Sequence, residues 1–163
     1  MILVVMGVSG CGKSTVGAEA ARQLGWVFQD ADDYHSSENI AKMRQGIPLQ
    51  DRDREGWLQT LADLIRNYEE RQASMILACS ALKQTYRDRL LISSAVKVVY
   101  LKGSQQVITQ RLAGRPSHFM NPALLESQFQ ILEEPDEALV VNVEWSLAAQ
   151  VEAIVTFVSR VRT

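Results

Sequence analysis

Residues 7 to 14 read Gly7-Val8-Ser9-Gly10-Cys11-Gly12-Lys13-Ser14, which fits the phosphate-loop pattern G-x-x-x-x-G-K-S/T. The flanks are those this loop requires. Ile2-Leu3-Val4-Val5-Met6 before it is a short apolar run suited to a parallel strand buried on both faces. Val16, Ala20 and Leu24 after it recur at helical spacing. Strand, glycine-rich turn and helix thus follow in order. Gly7, Gly10 and Gly12 let the backbone take positive φ angles and approach a phosphate closely. Inward N–H groups and the helix dipole favour an anion there. Lys13 is expected to reach the β- and γ-phosphates, and the Ser14 hydroxyl to ligate Mg²⁺. The whole run, through Thr15, is expected to bind a nucleoside triphosphate.

Composition narrows the rest. The 163 residues suffice for one domain, 1–163, that buries about 70% of its unfolded surface. A formal net charge of −2 argues against nonspecific nucleic-acid binding. Cys11 and Cys79 have no metal-ligand spacing, and Cys11 lies inside the phosphate loop, so a reducing cytoplasm fits best. No signal-peptide pattern precedes the first strand, and no apolar run approaches the roughly 18 residues of a membrane span.

Gly25 reads as the stop of the first helix, and Trp26-Val27-Phe28 as a second strand. It runs into Asp30-Ala31-Asp32-Asp33-Tyr34-His35. In extended backbone Asp30 and Asp32 share one side and Asp33 takes the other. Such carboxylates could hold Mg²⁺ through water or accept a proton from a substrate hydroxyl. The same residues would equally serve as a turn before the helix that Ser36, Ser37 and Glu38 open.

Gly46-Ile47-Pro48-Leu49 breaks the chain before Asp51-Arg52-Asp53-Arg54 and a helix with Trp57, Leu58, Leu61, Leu64, Ile65 and Tyr68 on one face. With Asp53 as N-cap, Arg54 falls in the first turn, where the dipole disfavours a cation unless an anion meets it. Met75-Ile76-Leu77-Ala78 is a third strand. Many phosphate-loop proteins end such a strand on a metal-holding Asp. Cys79 and Ser80 stand there instead, which makes Asp32 the expected carboxylate for the metal. With Ser80 capping the next helix, Lys83 is a second first-turn cation, and Arg87 lies four residues on, on the same face. Cations at two helix starts suggest an anionic substrate between them.

Val96 to Leu101 is a fourth strand, and Val107, Ile108 and Leu112 mark a helix ending near Arg111. Gly114-Arg115-Pro116 and His118-Phe119 follow, before a helix opened by Pro122. This punctuated stretch, about 114–121, reads as a lid that brings Arg111 and Arg115 onto the phosphates. Leu139 to Val143 is a fifth strand, and a last helix turns Leu147, Val151, Ile154, Val158 and Val161 inward. Strand–helix alternation throughout implies an α/β fold with a parallel sheet covered by helices.

These residues also carry a family resemblance. Gly7 to Ser14, Asp30 to His35, Asn39, Lys42-Met43, Pro48-Leu49, Asp51, Asp53-Arg54 and Trp57-Leu58 resemble gluconate kinase. So do Cys79 to Lys83, Tyr86-Arg87, His118-Phe119 and Ser127-Gln128. The resemblance implies ATP:D-gluconate 6-phosphotransferase activity, ATP and Mg²⁺ as cofactors, a nucleoside-monophosphate-kinase-like phosphate-loop fold with sheet order 2-3-1-4-5, and a homodimer. Gly56 departs from it, where the family commonly has proline. On this reading Asp32 orients the 6-hydroxyl and helps Ser14 hold Mg²⁺ through water. Lys13, Arg111 and Arg115 stabilise the transferring phosphoryl group. Arg54, Lys83 and Arg87 bind the sugar acid, and His35 and His118 belong to the same substrate site.

Two rivals stand beside it. Shikimate kinase is similar at the phosphate loop and the acidic strand end, but favours a glycine-rich turn where this chain has Cys79-Ser80-Ala81. Asp53-Arg54-Glu55-Gly56 matches the D-x-x-G pattern of GTPase switches, but it follows a Pro48 loop, and no N-K-x-D guanine motif occurs.

Overall fold

The computed structural model describes residues 1–114 and 122–162. Five strands form one parallel sheet: β1 (Ile2–Met6), β2 (Val27–Asp30), β3 (Met75–Ala78), β4 (Val96–Lys102) and β5 (Leu139–Asn142). Their order is β2-β3-β1-β4-β5, the order the resemblance implies. β1 takes the centre, with Val4 in register with Leu77 of β3 and Val98 of β4. All five of its residues are buried, as an apolar run with helices on both faces must be.

The strand period of two divides the core. Leu3 and Val5 face a cluster with Val16 and Ala20 of α1 (Lys13–Leu24), Ile108 of α5 (Gln105–Ala113), Leu125 of α6 (Pro122–Ile131), and Val151 and Ile154 of α7 (Leu147–Val161). Ile2, Val4 and Met6 face Trp57, Leu61 and Ile65 of α3 (Asp51–Glu70) and Tyr86 and Leu90 of α4 (Gln84–Leu90). A 3₁₀ turn (Ala31–Tyr34) and α2 (Ser37–Arg44) follow β2, with Ser36 capping α2 through the Asn39 N–H.

Several local expectations need correction. The second strand is displaced to Val27–Asp30, so Asp30 itself lies in the sheet. α3 starts at Asp51 because Gln50, not Asp53, is its N-cap; Asp53 sits at the third helical position, and its carboxylate accepts from the Gln50 N–H in a capping box. α4 starts at Gln84, after Lys83 in extended backbone, so Ser80 caps nothing and Lys83 lies outside the helix. The delay has a visible cause: Ala81 is buried in left-handed backbone at φ 42°, which no helix accepts. In α7 the inward face is Val151, Ile154 and Val158, whereas Leu147 and Val161 at its two ends are exposed. Among the described residues no helix is long and apolar enough to cross a membrane. The expected lid, with Arg115, His118 and Phe119, lies outside the described residues apart from Gly114.

Candidate active site

A cavity of about 920 Å³ opens at the carboxyl ends of β1, β2 and β3, where ligands of open parallel sheets bind. The phosphate loop between β1 and α1 supplies Ser9, Gly10, Gly12, Lys13, Ser14 and Thr15 to its wall. Gly7 and Gly10 both have positive φ, 149° and 83°. A Cβ on Gly7 would stand 2.9 Å from the Leu101 carbonyl oxygen, and one on Gly10 2.8 Å from the Leu112 side chain. The loop is therefore packed down onto β4 and α5 as well as turned. Lys13 Nζ donates to the Val8 carbonyl at 3.0 Å, across the mouth of the loop.

The acidic strand end is organised around Asp30. Its Oδ2 accepts from Ser14 Oγ at 2.5 Å, and its Oδ1 from the Asp32 N–H at 3.0 Å. Sequence reasoning counted Asp30 among the strand-end carboxylates that could hold a metal but chose Asp32 as the partner of Ser14. The alternation that sets both on one side of the strand was the signal that could have found it. Asp32 lines the cavity with its carboxylate open to it. The Asp32 side chain is 80% exposed to the cavity; partial desolvation by the concave wall, and then the charge of Asp30, raise its pKa above the usual carboxylate range, while Lys13 pulls it back.

His35 stacks on Trp57, ring centroids 4.3 Å apart and planes 11° from parallel. The indole N–H donates to the Ala31 carbonyl at 2.7 Å and so fixes the platform. Only 5% of the His35 side chain is exposed. Burial, and then the Arg54 charge, push its pKa down to about 4, so the imidazole is neutral at physiological pH. Nε2 lies 4.0 Å from Asp32 Oδ1. A histidine whose folded pKa is depressed contributes stability that is present above its unfolded value of 6.5 and is lost as pH falls toward 4. The melting temperature is therefore expected to decline between pH 6.5 and 4.5, and His35→Phe, which keeps the stack but cannot titrate, to flatten that decline. Parallel melting curves for the two proteins check this.

The cations sort differently from expectation. Arg54 lines the cavity; its Nη1 donates to the Leu49 carbonyl at 2.5 Å and lies 3.3 Å from Tyr86 Oη. Arg44, at the end of α2, also lines it and was missed, because a last-turn arginine already looks explained by the helix dipole. Lys83 does not line the cavity: Nζ is held by both Asp51 oxygens at 2.9 and 3.0 Å, and Tyr86 Oη donates to the same carboxylate. Arg111 donates to the Val143 carbonyl at the end of β5.

Arg87 turns inward and is 2% exposed. Its Nη1 donates to the carbonyls of Ala81 and Leu82 at 2.9 and 3.0 Å, and its Nε and Nη2 to Gln84 Oε1. The guanidinium thus braces the left-handed turn after β3 that carries Ser80 to the cavity wall. Arg87→Met is expected to leave buried carbonyls unpaired and cost about 3 kcal/mol of unfolding free energy. Urea melts would show it, and the KM for the phosphoryl acceptor among surviving molecules should change little.

A family model described as Shikimate kinase matches residues 9–143. A probable gluconokinase of Mus musculus is 48% identical to this chain, over 94% of it and 97% of its own length. Among solved structures, an unliganded sugar kinase from Janibacter sp. HTCC2649 superposes with a TM-score of 0.91 at 42% identity, covering 97% of this chain and 94% of that one. A gluconokinase from Sinorhizobium meliloti 1021 does so with a TM-score of 0.88 at 38% identity, covering 98% and 91%.

Proposed function

This chain belongs to the gluconokinase family, and we propose that it transfers the γ-phosphoryl group of ATP to the 6-hydroxyl of D-gluconate, giving 6-phospho-D-gluconate and ADP. That step would feed the pentose phosphate pathway. The observation that carries the reading is one continuous cavity with a phosphate loop on one wall and two arginines, a neutral histidine and two carboxylates on the other.

The division of labour follows from that geometry. The N–H groups of the phosphate loop cradle the phosphates, and Lys13 leaves the Val8 carbonyl to meet the β- and γ-oxygens. Ser14, Asp30 and Asp32 form an all-oxygen donor set, which suits a hard divalent cation such as Mg²⁺. These residues would hold Mg²⁺, which would supply charge neutralisation to the bound triphosphate. Asp30 holds the Ser14 hydroxyl in place. Asp32 orients the acceptor hydroxyl and takes its proton late, since positioning and charge neutralisation dominate a loose phosphoryl transfer. Arg44 and Arg54 supply positive charge for the gluconate carboxylate, in place of Lys83 and Arg87. His35, held neutral, hydrogen-bonds the sugar hydroxyls above Trp57. Arg111 and, in the lid, Arg115 and His118 complete the site as the resemblance implies. The homodimer and the cytoplasmic location belong to the same reading, the latter supported by two buried free thiols.

ADP release with ATP and Mg²⁺, compared across D-gluconate, shikimate and no acceptor, tests it. Turnover with D-gluconate alone is expected. Turnover with shikimate alone would keep the phosphoryl transfer and overturn the acceptor.

A further inference from the structure

Gln128 of α6 has no part in the reading above, yet it reaches the phosphate loop. It makes two bonds to one residue 119 positions away: Oε1 accepts from the Ser9 N–H at 2.7 Å, and Nε2 donates to Ser9 Oγ at 3.0 Å. A backbone N–H can only donate, so the orientation of the Gln128 amide is fixed. Its NH₂ group then occupies a lone pair of the Ser9 hydroxyl and leaves the hydroxyl proton to be given elsewhere. Ser9 and Gln128 both line the cavity, next to Gly10, Gly12 and Lys13.

We propose that Gln128 is a positioning residue that sets both the main chain and the hydroxyl rotor of Ser9, so that Ser9 Oγ–H donates to an oxygen of the terminal phosphoryl group. The inference rests on the nucleotide-binding reading of the loop and deepens it. A hydroxyl giving its proton to an anionic oxygen makes a stronger bond than one between neutral groups. A donor already turned toward a group whose charge is redistributed during transfer needs no reorganisation when the reaction occurs. Gln128 therefore acts on the reaction only through Ser9, and its side chain connects α6 to the loop.

The test compares wild type with Ser9→Ala, Gln128→Leu, Gln128→Glu and the double variant Ser9→Ala/Gln128→Leu. The readouts are kcat with gluconate and the ratio of affinities for a non-hydrolysable ATP analogue and for ADP, a ratio that needs no acceptor. Ser9→Ala is expected to lower that ratio roughly tenfold, with ADP affinity retained. Gln128→Glu keeps the shape and the bond to the Ser9 N–H, but offers a second acceptor that draws the hydroxyl proton to itself. It should lower kcat like Ser9→Ala, which a purely structural role would not predict. The double variant should be no worse than the poorer single one, because both act on one proton. An unchanged affinity ratio in Ser9→Ala, or additive losses in the double variant, overturns the proposal. Wild type without gluconate turnover would instead overturn the acceptor reading, and the affinity ratio would still decide the role of Ser9.

Discussion

Lys13→Ala is expected to lower kcat about a thousandfold and to leave the fold intact. Lys13 opens α1, and among the described residues its ammonium donates to the Val8 carbonyl at 3.0 Å, on the rim of the loop. Losing that part-buried bond costs little stability, since the carbonyl faces a cavity that water can enter. Losing the charge is another matter. Phosphoryl transfer has little covalent chemistry for a protein to assist, so most of the acceleration comes from positive charge preorganised around the moving group. Among the described residues, the other cations of the wall, Arg44 and Arg54, come from α2 and α3 and lie outside the loop. Steady-state kinetics with gluconate, beside a thermal melt, check both halves. A variant within tenfold of wild-type kcat would remove Lys13 from the mechanism.

Asp32→Asn is expected to slow turnover by roughly 10²–10⁴-fold without lowering stability. The rate falls because the amide can orient a hydroxyl but cannot take its proton, and contributes no charge to the metal. A carboxylate whose folded pKa lies above its unfolded value contributes stability only below the unfolded value, and loses it as pH rises through the folded one. Partial desolvation and the neighbouring Asp30 raise the Asp32 pKa. At neutral pH its ionised form therefore works against folding, and the asparagine variant should melt at the same temperature as wild type or higher. That margin should close below about pH 4, where both side chains are neutral. Melts at pH 7 and pH 4, paired with kcat, check it. A variant that is slow and also less stable at pH 7 would assign Asp32 a structural part in place of a catalytic one.

The parts of the fold legible in the sequence are those set by short-range rules. The apolar runs of β1 and β3, the phosphate loop and the Ser36 cap require only neighbouring residues to be recognised, and each stands where those rules put it. The order of the strands came from the family resemblance, because alternation alone permits other orders. The site divided along the same line. Ser9, Gly10, Gly12 to Thr15, Asp32, His35 and Arg54, which a motif or a dense charge cluster marked in the sequence, meet at the cavity. Lys83 and Arg87 do not line the cavity, because their partners are decided by the fold. The Asp51 that holds Lys83 is 32 residues away, and Arg87 turns back under its own helix to carbonyls exposed by the left-handed turn at Ala81. Asp30 was set beside Asp32 among the strand-end carboxylates but not singled out, because the second strand was ended at Phe28 and the structure carries it on to Asp30.

The two cysteines give the site a timer. Cys11 within the phosphate loop and Cys79 just after β3 are both buried, at 0% and 1% exposure, in the core clusters on the two faces of the sheet. Burial pushes the Cys79 thiol up to about 12, so it stays protonated and inert in the closed structure. An alkylating reagent can then reach either sulfur only during excursions that open the packing around it. Its labelling rate counts those excursions residue by residue, as amide exchange counts openings of the backbone. A nucleotide that binds the closed loop should slow labelling at Cys11 in proportion to its occupancy. Chemical protection of one sulfur would thus report ligand binding even in variants that no longer turn over.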